Sequence, residues 1–91
     1  VKRLRKFAKE GHLAKELKTP GARAAYEAIL LGKKIATLRR TQKMTQKTLA
    51  QKVKSSQSAI ARIENGKQNL SLGLVITLAH ALGKKIDIRL L

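Results

Sequence analysis

Four side chains near the middle of the chain, Gln57, Ser58, Ala61 and Arg62, have types and spacing suited to reading an outside partner. They lie in the stretch TQKTLAQKVKSSQSAIARIENG, residues 45–66. Its apolar residues say where helices fall. Leu49, Ala50 and Val53 share one face of a helix over 45–53, and Ile60 and Ile63 share one face of a helix over 56–64. Lys54 and Ser55 join the two. With Ser56 as N-cap, Gln57 and Ser58 are the first exposed positions of the second helix, and Ala61 and Arg62 follow one turn later. Core packing does not require uncharged polar residues there. A glutamine can bond the N6/N7 edge of adenine with both its groups, an arginine the O6/N7 edge of guanine. A serine can donate or accept, and a small alanine can lie against a thymine methyl. That is the chemistry of reading base-pair edges.

Two short helices joined by a tight turn have the spacing at which the second helix enters the major groove, N-terminal residues foremost. Gln46, at the start of the first helix, offers a donor and its backbone N–H toward a phosphate. The composition agrees. The chain of 91 residues has 21 Lys+Arg against 5 Asp+Glu, a net charge of +16 and a pI near 11.2. Such an excess opposes compaction by self-repulsion and favours a polyanion as partner. The charge is spread along the chain: residues 1–34 carry 10 basic and 3 acidic groups, residues 35–91 carry 11 and 2. Phe7 and Tyr26 are the only aromatic residues, too few for a platform on which single-stranded bases stack. Duplex DNA is the expected ligand.

The remaining elements follow from period and punctuation. Thr19-Pro20 reads as N-cap and first helical residue. It divides a basic helical extension, residues 1–19, from a domain over residues 20–91. In the extension Leu4, Phe7, Ala8, Ala14 and Leu17 fall at helical spacing, weakened in the middle by Gly11-His12. After Pro20 a helix is expected to about Arg40, with Ala25, Ile29, Ile35, Ala36 and Leu38 as its apolar stripe and Gly32 as a place where it bends or splits. Gln42-Lys43 is a turn and Asn65-Gly66 a stop. Ser71 caps a further helix to Leu82, with Leu72, Val75, Ile76, Ala79 and Leu82 on one face and Gly83 as terminator. Beyond it the period changes. Ile86, Ile88 and Leu90 alternate with Asp87 and Arg89, which predicts a short half-buried strand. The fold class is therefore all-α: five helices, an N-terminal helical extension and a short C-terminal strand. A single strand leaves its backbone groups unpaired, so pairing with the same strand of a second copy is expected to make a homodimer.

Other chemistry has little support. The chain lacks cysteine, so thiolate nucleophiles, thiolate metal sites and disulfides are excluded. Glu10, Glu16 and Glu27 lie on a basic helical stretch with no nucleophile or glycine-rich phosphate cradle nearby. His12 and His80 have no carboxylate or cysteine company. No enzyme activity, metal or cofactor is expected. The apolar runs fall well short of the roughly 20 residues that span a bilayer. The basic start VKRLRKF leads to no hydrophobic run of a signal peptide, so a cytoplasmic protein without membrane contact is expected.

At residues 35–83 the chain resembles the Xre/Cro-type helix-turn-helix of phage repressors: a TQ opening, the LAQKV inner face, a glutamine heading the second helix, then I-x-R-I-E-N-G-K. The resemblance implies a half-buried structural ion pair, here Arg39 with Glu64. It also implies phosphate contacts just after the ENG motif, which map onto Lys67, Gln68 and Asn69, with Ser56 at the head of the second helix. Where the family has glycine before the first TQ helix and within the central turn, this chain has Lys43 and Lys54. A left-handed backbone would cost each roughly 1 kcal/mol, and facing phosphates would offset that in the complex. TPGARAAYEAI and the terminal ALGKKIDIRL further resemble the HigA antitoxins of HigB–HigA modules. That resemblance implies a dimer on its own palindromic operator and a RelE/HigB-like mRNA endonuclease toxin as second partner. The alternatives are a phage- or plasmid-type repressor without a toxin, and a nucleoid-like binder driven by charge.

Overall fold

The computed structural model describes residues 19–68 and 70–90. Four helices are present among them: α1 Pro20–Thr41, α2 Gln46–Lys52, α3 Gln57–Glu64 and α4 Leu72–Ala81. Each begins on a hydroxyl. Thr19, Thr45, Ser56 and Ser71 accept from the backbone N–H of Ala22, Thr48, Ala59 and Leu74 at 3.2, 3.0, 3.1 and 3.2 Å. Each cap satisfies one of the N–H groups that a helix start leaves without an internal partner. Pro20 follows Thr19 as a residue with no N–H to satisfy.

Each helix also ends alike. The residue after the C-cap turns left-handed, and its N–H and the next one fold back onto carbonyls of the last turn. At α2, for example, the N–H of Lys54 reaches the Gln51 oxygen and that of Ser55 the Ala50 oxygen, at 3.3 and 2.8 Å. These sharp stops let four short helices fold around one core. Ile35 of α1, Leu49 and Ala50 of α2, Ile60 and Ile63 of α3, and Leu78 and Leu82 at the end of α4 form it. Leu49, Ile60 and Leu78 are fully buried. A side-chain hydrogen bond ties the end of α1 to the end of α4: Gln42 Nε2 donates to the Leu82 carbonyl at 2.6 Å.

Several expectations need correction. The fold has four helices among the described residues rather than five, and no strand. α1 runs unbroken through Gly32. The glycine serves close approach instead, because a Cβ there would meet the carbonyl oxygens of Ile63 and Glu64, the latter at 2.9 Å. Residues 84–90 form no strand because no extended segment among the described residues pairs with them to complete a ladder. Ile86 is half-buried, while Ile88 and Leu90 are exposed. The expected α4 stripe holds in part: Leu82 is buried and Val75 and Ala79 are half-buried, but the face is shifted. Leu78 is buried with Leu82, and Leu72 and Ile76 stand 57% and 49% exposed. LGLVITLAHA is apolar nearly all round, so its periodicity does not choose a face. Ala25 and Ile29 of α1 are exposed too. The expected extension, residues 1–18, lies outside the described residues.

Candidate nucleic-acid interface

α2 and α3 bury Leu49, Ala50, Ile60 and Ile63 on their inner faces, and this packing turns the opposite side of α3 outward. Gln57, Ser58 and Arg62 are exposed there, and Ala61 is half-buried beside them. Two of these side chains have protein partners that hold them. Ser58 Oγ lies 3.2 Å from Ser56 Oγ, and Arg62 Nε donates to Gln68 Oε1 at 3.2 Å. Ser56 therefore serves as cap and as neighbour of a base-facing candidate. The Gln57 amide is exposed at the head of the helix, with no side-chain hydrogen bond among the described residues. Its two groups match the bidentate requirement of a base edge.

The candidate phosphate ligands lie in the turns before and after α2 and just past α3. Lys43 and Lys54 are exposed, with φ of 58° and 55°, so both adopt the left-handed backbone. Lys67 is exposed just past α3 and Gln68 is half-buried behind Arg62. Asn69, expected to join them, lies outside the described residues. Gln46 has a partner within the protein: its Nε2 donates to Glu64 Oε1 at 3.0 Å. Sequence reasoning passed over a polar cleft along α1. Lys33, Thr37 and Arg40 recur at i, i+4 and i+7 and line it together with Gln46 and Asn65. That spacing was the available signal.

Beneath the face, Arg39 and Glu64 make a two-pronged pair, Nε to Oε2 at 2.7 Å and Nη2 to Oε1 at 3.1 Å. The two side chains are 12% and 6% exposed. A third Arg39 bond, Nη1 to the Met44 carbonyl at 2.8 Å, holds the turn that contains Lys43. One guanidinium thus fixes the end of α1, the entry to α2 and the end of α3. Burial alone would raise the Glu64 carboxyl. Hydrogen bonds from Arg39 and Gln46 and the charges of Arg39 and Arg40 outweigh it and hold the group below its ordinary 4.5.

A helix-turn-helix family model matches residues 35–88, more than half of the chain. The chain belongs to this family. It is an Xre/Cro-type helix-turn-helix protein, and DNA-binding transcription regulation is its activity. The match begins at the core residue Ile35 and takes in α2, the Lys54 turn, α3 and α4. Comparison with curated proteins and with solved structures gives no match. Among the described residues no helix is long and apolar enough to cross a membrane.

Proposed function

We propose that this helix-turn-helix protein is a sequence-specific repressor of its own operon, with α3 as the reading helix. Gln57, Ser58, Ala61 and Arg62 take the base edges. Lys43, Lys54, Ser56, Lys67, Gln68 and Asn69, with the remaining N–H groups of Gln46, take the phosphates. The observation that carries this reading is the exposed Gln57 amide at the head of a helix whose other face is fully buried. Arg62, held by Gln68, is the second base reader in a fixed pose. On a palindromic operator two copies place their α3 helices roughly 34–36 Å apart, one turn of DNA. Pairing through a C-terminal strand is no longer part of this picture. Sedimentation on and off DNA tests the dimer.

The test of base reading is a pair of substitutions. Gln57→Ala is expected to weaken operator binding by about 1–3 kcal/mol and to relax preference at one base pair, leaving binding to random duplex nearly intact. Lys67→Ala is expected to weaken both alike and to make the salt slope shallower by about one. Equal losses on both DNAs for Gln57→Ala would remove α3 from the reading role. The further reading, a cytoplasmic antitoxin that also neutralises a RelE/HigB-like endonuclease, is supported by the resemblance of TPGARAAYEAI and ALGKKIDIRL alone. Co-purification with the product of the adjacent gene tests it.

A further inference from the structure

A groove of about 270 Å³ opens between α1, α4 and the segment after α4, and no residue of α2 or α3 lines it. Its floor is Ile35, Leu78 and Leu82; its walls include Leu38, Val75 and Ile86. The apolar surface does not stop at the groove. Leu72, Ile76 and Ile88, each about half exposed, continue it on α4 and the following segment. Three exposed lysines stand at the groove itself, Lys34, Lys84 and Lys85. They have no counter-charge among the described residues. The acidic residues among the described ones are Glu27, Glu64 and Asp87, and each is paired with an arginine elsewhere: Arg23, Arg39 and Arg89.

We propose that this groove is a protein-docking site for an acidic amphipathic helix, one with an apolar stripe flanked by glutamates or aspartates. An apolar floor takes the stripe, and three unpaired ammonium groups take the flanking carboxylates. The charges decide among occupants. A second copy docked through the same face about a twofold axis would bring its own Lys34, Lys84 and Lys85 against these three. The chain's first 18 residues carry seven Lys+Arg against two Glu and meet the same repulsion. A DNA backbone supplies negative charge but no apolar stripe. A bilayer surface does not enter a concave groove, and the volume lies under the roughly 300–1,000 Å³ of small-molecule sites. Because α2 and α3 take no part in the lining, the partner and DNA can be held at the same time.

The full chain, with Ile, Leu and Val methyls labelled, is titrated with a fluorescein-labelled helical peptide of roughly 18 residues, about five turns, carrying leucines at i, i+3, i+4 and i+7 and glutamates elsewhere. Saturable binding at one peptide per chain is expected, with shifts at the methyls of Leu38, Val75 and Ile86. Lys34→Glu, Lys84→Glu and Lys85→Glu together are expected to weaken it about tenfold or more, with the circular dichroism unchanged. Lys43→Ala with Lys54→Ala is expected to leave it as it was. A scrambled peptide of the same composition keeps the charge but loses the stripe, and equal binding by it would reduce the effect to bulk charge and overturn the proposal. The proposal also fails if the peptide does not bind, or if the Lys43 and Lys54 changes abolish binding. Methyl shifts that track protein concentration instead of peptide would assign the groove to a second copy. Broadening of the same methyls by phosphatidylglycerol vesicles, without a response to peptide, would assign it to a membrane.

Discussion

The turns that close α1 and α2 can be set beside those that close α3 and α4. All four use the same two folded-back hydrogen bonds and the same left-handed residue, with φ of 58° and 55° at Lys43 and Lys54 and of 70° and 68° at Gly66 and Gly83. Only the residue differs. Glycine takes this conformation without a steric penalty, whereas a side chain costs about 1 kcal/mol or more. At Gly66 there is a second reason: a Cβ would stand 2.8 Å from Ile29 Cα. At Gly83 a Cβ would meet nothing within 4 Å among the described residues, so there the backbone angle argues for glycine. The two lysine turns bracket α2, the helix before the proposed reading helix. On the proposed reading, the strained backbone falls at the two turns whose lysines take phosphates, and glycine holds the two turns with no such role.

The largest expected effect comes from removing what supports the first lysine turn. Arg39→Ala leaves Glu64 mostly buried without its cation and frees the Met44 carbonyl. A loss of about 3–5 kcal/mol is expected in denaturant melts, and a loss under about 1 kcal/mol would make the pair a surface one. Next, Gly66→Ala combines a left-handed alanine with overlap against Ile29, for about 2–4 kcal/mol. Gly83→Ala costs the backbone term alone, about 1 kcal/mol. Equal losses at the two glycines would erase the distinction between them.

Reversing the exchange sharpens the comparison. Lys54→Gly is expected to raise stability by about 1 kcal/mol while making the salt slope of DNA binding shallower by about one. Lys43→Gly should act in the same direction. A gain in stability with an unchanged slope would leave the lysines unexplained by phosphate contact. The smallest effect is that of acid. Glu64 is held below 4.5 in the folded protein, so its stabilising contribution is full above pH 4.5 and lost as the pH falls through the lower folded value. Melts of the wild type and Glu64→Gln, compared from pH 7 to pH 3, should show a steeper decline in the wild type over that interval.

How much of this was legible depended on how sharply residue types change along each segment. All four N-caps were readable because a Thr or Ser stands directly before each helix, and α2 and α3 were placed correctly because their apolar residues are few and evenly spaced. The bounds of α4 were legible but its inward face only in part: with Leu, Val, Ile and Ala on every side, only the positions of α1, α2 and α3 decide that Leu78 goes in and Ile76 stays out. Gly32 was read as a weak point of a helix, since nothing local reveals that the carbonyls of Ile63 and Glu64 will arrive beside it. The alternation of Ile86, Ile88 and Leu90 was real as a pattern, but a pattern of period two does not provide a neighbouring strand. The Arg39–Glu64 pair, 25 residues apart in sequence, was accessible through the family resemblance and not through spacing. The amide of Gln46 escaped even that.

The hydroxyl caps have a consequence for how the helix ends behave as sources of field. None of the four helices has an Asp or Glu in its first turn, and threonine and serine do not ionise over any pH at which the protein folds. The partial positive charge at the start of α3 is therefore neither neutralised by a neighbouring carboxylate nor switched by protonation. An acidic cap would have stabilised the same helix start and added a fixed negative charge beside Gln57. With Ser56 in that position, the peptide dipoles of α3 and the lysines of the neighbouring turns have the same sign toward an approaching polyanion at any pH below that at which lysine itself titrates.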